Sequence, residues 1–179
     1  GYYLTKKSDF AIQVKPCYLY NVNSAVTSQA SFEQCGSILV DDRDGQEYAT
    51  IQIGNQCWIN QGLNIGIRID GSGNQTDNGI IEKYCFDNND DNCDTVLNPN
   101  YPDGGLYQWN ESMVYTTIEG TQGICPNGWH IPSDNEIKIL EMELGMTEAD
   151  ADSSYWRMTY YEGDKLKNYN YCSGIGGGG

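Results

Sequence analysis

Apolar positions along the chain fall first into short runs with period two, then into long polar stretches, and later into two runs with helical spacing. In DFAIQVKPCYLYNV, Phe10, Ile12 and Val14 share one face and are followed by Tyr18 and Tyr20. Such alternation predicts a strand, with Pro16 as an interruption. Cys17 and Cys35 bracket the polar segment NVNSAVTSQASFEQ, and a disulfide between them would close it as a loop. Residues 1–34 therefore read as a small β appendage.

From Cys35 onward the pattern sharpens. SILV reads as a short strand and DDRDG, Asp41 to Gly45, as a turn. In YATIQI, Ala49, Ile51 and Ile53 lie on one face and Tyr48, Thr50 and Gln52 on the other. Gly54-Asn55 suits a two-residue type II′ turn, because glycine takes positive φ at the first central position. QCWIN then returns, which predicts a three-stranded meander.

The two helical runs come later. In GGLYQWNESMVY, Leu106, Trp109 and Met113 follow helical spacing after the Gly104–Gly105 break, so a helix is expected near 105–115. In IPSDNEIKILEMELG, Ser133 is an N-cap candidate and Glu136, three residues on, completes a capping box. Ile137, Leu140 and Leu144 form one face of that second helix, and Gly145 fits the position after its end. Thr147 is placed to cap a further short turn. The ending YCSGIGGGG reads as conformationally loose.

Between these elements, residues 68–105 are rich in Asp, Asn and Gly and carry no period, so they read as loops. Loops of this length need a staple or an ion to stay ordered. Cys85 and Cys93 flank an Asn/Asp-rich turn and suit a local disulfide. Calcium takes six to eight oxygen ligands, often from alternating loop residues. Asp70, Ser72, Asn74 and Thr76 alternate in this way, and Asp87, Asn89 and Asp91, with Asp90 and Asp94 beside them, form a second oxygen-rich run. Neither run has the glutamate that an EF-hand loop places twelfth. Such turns also arise because Asn and Asp tolerate left-handed backbone. Bound Ca2+, with Asp70, Asn74, Asp87, Asn89 and Asp91 as ligands, is an open expectation.

Composition narrows the partners. Across 179 residues the formal net charge is −15, from ten Lys+Arg against twenty-five Asp+Glu. That field repels phosphate backbones and anionic bilayers, which argues against nucleic acid and membrane surfaces. Fourteen Tyr and four Trp against three Phe favour half-buried positions and contact surfaces over deep interiors. Aromatic rings stack on sugars, and Trp156, Tyr160 and Tyr161 are the residues most available for that; Trp58, Trp109 and Trp129 sit where core packing is expected.

Seven cysteines occur without a CxxC pair and with one histidine, so disulfides are a better reading than a zinc site. Disulfides place the chain outside the reducing cytoplasm. The odd count leaves one thiol free, paired with another chain, or paired beyond this segment. No apolar run of about twenty residues spans a membrane. Gly1 opens no signal peptide, so an export signal has been removed or lies outside the segment.

The single histidine lies in GICPNGWHIPSDNEIKIL. Cys125 as nucleophile beside His130, with Asp134 orienting the imidazole, would make a catalytic set. No glycine-rich oxyanion motif accompanies them, and disulfide formation competes for Cys125. The alternative is a structural corner of Cys125, Trp129, His130, Ser133 and Glu136, with the imidazole bonded to a backbone carbonyl.

Four blocks, DDRDGQEYATIQIGNQCWINQGLNIG, IEKYCFDNNDDNCD, GGLYQWNESMVY and GICPNGWHIPSDNEIKIL, followed by GDKLKN at 163–168, resemble the Fibrobacter succinogenes major paralogous domain in order and spacing. The resemblance covers residues 35–179 and leaves residues 1–34 outside. It implies an α+β, C-type-lectin-like domain: two helices packed on twisted, largely antiparallel sheets, loop-rich and disulfide-stapled, after a small β appendage. It implies that Trp129 enters the core and that His130 belongs to a corner leading into the second helix. Family members continue past the KLK block through Gly- and Trp-rich strands, which do not follow here. Those later strands supply the ligand face of this fold, and the cysteines used by its formylglycine-generating branch lie there too, so no ligand site is carried over.

The expected function is extracellular and non-catalytic: a surface or secreted domain that binds a ligand, such as a carbohydrate or another surface protein, or serves adhesion. The alternative is a structural subunit of an extracellular filament or sheath, assembled with copies of itself through its N-terminal segment and exposed strand edges.

Overall fold

The computed structural model describes residues 35–93 and 104–154, the backbone of Ala11–Ile12 and Tyr18–Leu19, and Lys165. The chain divides into two compact units, residues 6–133 and residues 134–179 with 1–5. The readings placed on Cys17, Asp94, Trp156, Tyr160 and Tyr161 lie outside the described residues.

In the first unit, β1 (Ala11–Ile12) and β2 (Tyr18–Leu19) precede the meander β3 (Ile38–Val40), β4 (Glu47–Ile53) and β5 (Gln56–Ile59). Strands β6 (Ile67–Arg68), β7 (Glu82–Lys83) and β8 (Tyr107–Gln108) follow. The main sheet runs β2-β5-β4-β3 and is antiparallel throughout. It contains the expected meander, with a fourth strand from the N-terminal segment added beside β5. There Tyr18 faces Trp58 and Leu19 faces Cys57. The same segment supplies β1, which pairs antiparallel with β8. Strands β6 and β7 form a separate parallel pair. The β4–β5 hairpin turns at Gly54, whose φ of 56° meets the requirement of the expected turn.

One face of the sheet lies on the main core, and on the other face Gln56 and Trp58 of β5 are buried too. Tyr48 and its cross-strand neighbour Leu39 point inward, with Cys57 and Ile59 from β5. Leu63, Ile65, Tyr107, Met113, Ile124, Cys125, Trp129 and Ile131 complete this core. Each large side chain buried this way contributes on the order of 1.5–3 kcal/mol. On β4 the aromatic face is the inner one, and Ile51, on the apolar face, is exposed. The alternation was legible; the direction was not, because a tyrosine whose hydroxyl finds a partner is a good core residue. The Tyr48 hydroxyl accepts the Asn64 N–H at 3.0 Å.

Two disulfides join described cysteines. Cys85–Cys93 is the expected local bridge. Cys35 pairs with Cys57, not with Cys17 as the loop-closing reading had it. The meander brings the residue before β3 alongside β5, a relation set by sheet pairing rather than by spacing.

The helix expected at 105–115 is shorter than its pattern. Leu106 bridges Tyr84, Tyr107–Gln108 are β8, and only Trp109–Ser112 form α1. Tyr107 enters the core, where its hydroxyl donates to the Ile65 carbonyl at 2.6 Å. Trp109 is turned outward and is 44% exposed, which corrects its assignment to the core. Positive φ at Val114 and Tyr115 ends the helix.

In the second unit, α2 (Asp134–Glu143) starts directly after Ser133 and carries Glu136 in its first turn. Gly145, with φ of 108°, follows its end as expected. Leu140 is buried, and Thr147 caps α3 (Glu148–Ala151) by accepting the Asp150 N–H. Lys138 bridges the two helices, at 2.7 Å from Asp152 and 3.3 Å from Asp134. The Lys165 ammonium donates to the Leu144 carbonyl.

Candidate functional site

The corner at residues 121–132 is built from backbone hydrogen bonds. Ile124 N–H donates to Ser112, Trp129 N–H to Pro126, and Ile131 N–H to Thr121. Ile124, Cys125, Trp129 and Ile131 are buried, and His130 is half-buried. Cys125 is disulfide-bonded, to a partner outside the described residues. A thiol held in a disulfide is no nucleophile. Asp134, the carboxylate expected to orient His130, belongs to the second unit, beside Lys138.

The DDRDG turn, read from sequence only as a turn, clamps this corner. Asp41 is fully buried and takes two hydrogen bonds from the Arg43 guanidinium, at 2.8 and 2.6 Å. Arg43 Nη2 also donates to the Ile124 carbonyl at 2.9 Å. Asn127 reaches back to the Asp42 carboxylate at 2.9 Å. Burial pushes the Asp41 carboxyl up, but the side-chain and backbone hydrogen bonds from Arg43, with its charge, outweigh this and hold it below the usual range. Charges in a DxxDG-like turn look solvated in sequence. Only the fold reveals a buried pair.

A second polar network lies beside α1. Glu111 is buried and accepts the Glu82 N–H at 2.8 Å and the Tyr115 hydroxyl at 2.8 Å. Burial, then the hydrogen bond to Glu111, raises the Tyr115 hydroxyl pKa. Gln75, also buried, exchanges hydrogen bonds with Gln108: its N–H donates to the Gln108 side chain and its side-chain oxygen accepts the Gln108 N–H. These groups satisfy one another and knit loop 70–82 to β8 and α1.

The oxygen-rich loops do not assemble a cation cage among the described residues. Asp70 Oδ1 accepts from Ser72 N–H and Oγ, and Asp70 Oδ2 accepts from Asn88. These hydrogen bonds, from Asn88 first and then Ser72, hold the Asp70 carboxyl well below its usual range. Asn74 Oδ1 faces Gln108, and Asn89 Oδ1 accepts the Asp91 N–H. The positive charge between the loops is the Arg68 guanidinium, 2.8 Å from Asp90 and hydrogen-bonded to Asn88. No group of three or more His, Cys, Asp or Glu able to hold a metal ion occurs among the described residues. The donors thus cross-link the loops.

No helix of the described residues is long and apolar enough to cross a membrane. The Cys35–Cys57 and Cys85–Cys93 bridges are consistent with a chain secreted into an oxidising compartment. No curated protein and no solved structure matches the chain. A family model described as the Fibrobacter succinogenes major domain matches residues 51–176, from within β4 onward. With a match over well more than half its length, the chain belongs to the Fibrobacter succinogenes major domain family.

Proposed function

We propose that this is an extracellular, non-catalytic domain of C-type-lectin-like fold that binds a carbohydrate or another surface protein. The observation that carries the reading is the state of Cys125, buried and disulfide-bonded in the corner that holds His130. The one thiol close in sequence to the imidazole is part of the framework. The mixed α+β architecture, with short antiparallel ladders stapled by disulfides, supports the fold assignment. The test is a screen of the oxidised protein against glycans and purified surface proteins. Saturable binding without turnover is expected. Turnover that disappears in His130→Ala would overturn the reading.

A structural subunit of an extracellular filament or sheath is the second reading. It is favoured by the N-terminal segment, whose strands β1 and β2 pair with β8 and β5. A neighbouring copy can supply such strands as readily as the same chain. The check is to delete residues 1–34 and add them back as a peptide. Recovery of folding in trans is expected if the strands are exchangeable, and no recovery at any peptide concentration counts against assembly by this route.

A further inference from the structure

We propose that the partner of Cys125 is Cys17 of the same chain, so that a third disulfide locks the N-terminal strand β2 to the corner that holds His130. The inference concerns the covalent framework and rests on neither reading of function. Cys125 is disulfide-bonded, and the other four described cysteines pair among themselves. Of the seven cysteines, Cys17 and Cys172 are the partners left within the chain. Cys17 falls in the same compact unit as Cys125, residues 6–133, whereas Cys172 falls in the other.

The register of the sheet points to Cys17 independently. Strand β2 pairs with β5 through Tyr18 opposite Trp58 and Leu19 opposite Cys57. One step further along the same antiparallel ladder, Cys17 comes opposite Ile59. Cross-strand partners share a face of the sheet. Cys57 and Ile59 both belong to the main core, and so does Cys125. Leu19 and Cys17, two apart on one strand, therefore share the inner face, while Tyr18 goes with Trp58 to the other. Cys125 is fully buried, so its partner has to be a side chain directed into that core.

The step from Tyr18 to Cys17 also leads toward the end of the sheet where the corner is held. Ile59 faces Thr50, and the next residue, Asn60, donates its N–H to the Ala49 carbonyl. At this end β3 turns into β4, with Val40 opposite Glu47. There Arg43 Nη2 donates to the carbonyl of Ile124, the residue before Cys125. Face and end of the sheet thus agree. Closing the bridge joins the two Sγ atoms and releases two protons and two electrons. A disulfide-donating oxidant of the secretory compartment accepts them and becomes a dithiol. A ladder of two residue pairs holds β2 weakly, and the bridge fixes it over the β5 edge that it covers. A strand bound to its own chain is not exchanged between copies, which weighs toward the binding domain and against the filament.

The test is non-reducing peptide mapping of the full oxidised chain, with free thiols blocked before digestion. The expected result is a Cys17 peptide linked to a Cys125 peptide, recovered from a chain that runs at monomer mass without reductant. A Cys125–Cys172 link overturns the proposal, and so does a Cys17–Cys125 link found only between chains. The lock has its own readout in hydrogen exchange. Asn60 N–H points to β4, so by alternation the Cys57 and Ile59 amides point to β2 and the Trp58 amide to β4. Cys17→Ser with Cys125→Ser should remove protection at Cys57 and Ile59 first and leave it at Trp58. Unchanged exchange at Cys57 and Ile59 overturns the lock. The mapping is made on the parent protein, so it decides the connectivity even if the double variant fails to fold.

Discussion

The Arg43 guanidinium touches both the buried carboxylate of Asp41, at 2.6 Å, and the carbonyl of Ile124, at 2.9 Å. A charge in the first turn of the meander thereby fixes the start of a corner more than eighty residues later. The corner's own sequence contributes apolar side chains and backbone bonds, and the turn holds it in place.

Removing one partner of this pair should be costly. Arg43→Ala leaves Asp41 buried without its counter-charge, and a loss of about 3 kcal/mol is expected. Asp41→Asn should cost less, because a neutral amide can remain buried. The Asp41 carboxyl is depressed in the folded state, so its contribution is present above the unfolded value of about 3.9 and is lost as pH falls through the folded value. Urea titrations at neutral pH and below pH 4 check both points. Asp41→Asn should flatten the acid limb, and an unchanged limb would remove Asp41 from the account.

The disulfides make a second prediction. Non-reducing peptide mapping should recover Cys35 linked to Cys57, and Cys85 linked to Cys93. Chain entropy assigns roughly 3 kcal/mol to a bridge of 22-residue separation and somewhat less to one of 8. All of Cys57, Cys85 and Cys93 are buried, but only Cys57 belongs to the main core cluster, with Cys35 packed against it, so removing the first pair should lower the melting temperature more than removing the second. The opposite ranking would mean that the local bridge holds more structure than its loop length implies.

What was legible in the sequence was local. The Gly54 turn, the Cys85–Cys93 bridge and α2 with Gly145 after its end each depend on residues a few positions apart. The partner of Cys35 depends instead on which strands lie side by side. The run Leu106, Trp109, Met113 has helical spacing, yet the chain passes through a bridge, a strand and one helical turn, because Tyr107 is drawn inward. Of the candidate site, the buried Trp129 and the corner position of His130 could be read from sequence. The clamp from Asp41 and Arg43 could not, since nothing in DDRDG separates a buried charge from a solvated one.

Tyr48 predicts an alkaline limit. Burial raises its hydroxyl to about 12, with the Asn64 hydrogen bond opposing. A hydroxyl that stays protonated in the fold but ionises near 10 when unfolded favours the folded state less as pH climbs through that window. Between pH 10 and 12 it should account for roughly 2–3 kcal/mol of lost stability. Tyr48→Phe should be somewhat less stable at pH 7, having lost the bond to Asn64, yet its alkaline limb should be shallower. Equal alkaline slopes in the two proteins would show that other groups set the limit.

The network at Glu111 gives a sharper contrast between two substitutions. Glu111→Gln keeps one acceptor oxygen for the Glu82 N–H or the Tyr115 hydroxyl, while Glu111→Ala leaves both without it. A bond to a charged acceptor is worth about 1.5–3 kcal/mol, so the alanine variant should lose several kcal/mol and the glutamine variant about half as much. Amide exchange at Glu82 reads the network directly. It should accelerate in Glu111→Ala before global unfolding, and protection identical to the parent protein would show that the carboxylate is not what holds β7.

The acidic loops yield the last expectation. Asp70 is already engaged by Ser72 and Asn88, and Arg68 supplies the positive charge between the loops. Calcium would have to displace these donors and approach a guanidinium, so a millimolar excess or a chelator should leave the melting temperature unchanged at constant ionic strength. Arg68→Ala should destabilise the paired loops slightly, by under about 1 kcal/mol for an exposed ion pair. It should also remove the cation that excludes a second one. Calcium-dependent stabilisation of the parent protein would mean that the loops rearrange around the ion, whereas stabilisation confined to Arg68→Ala would identify the guanidinium as the occupant of that position.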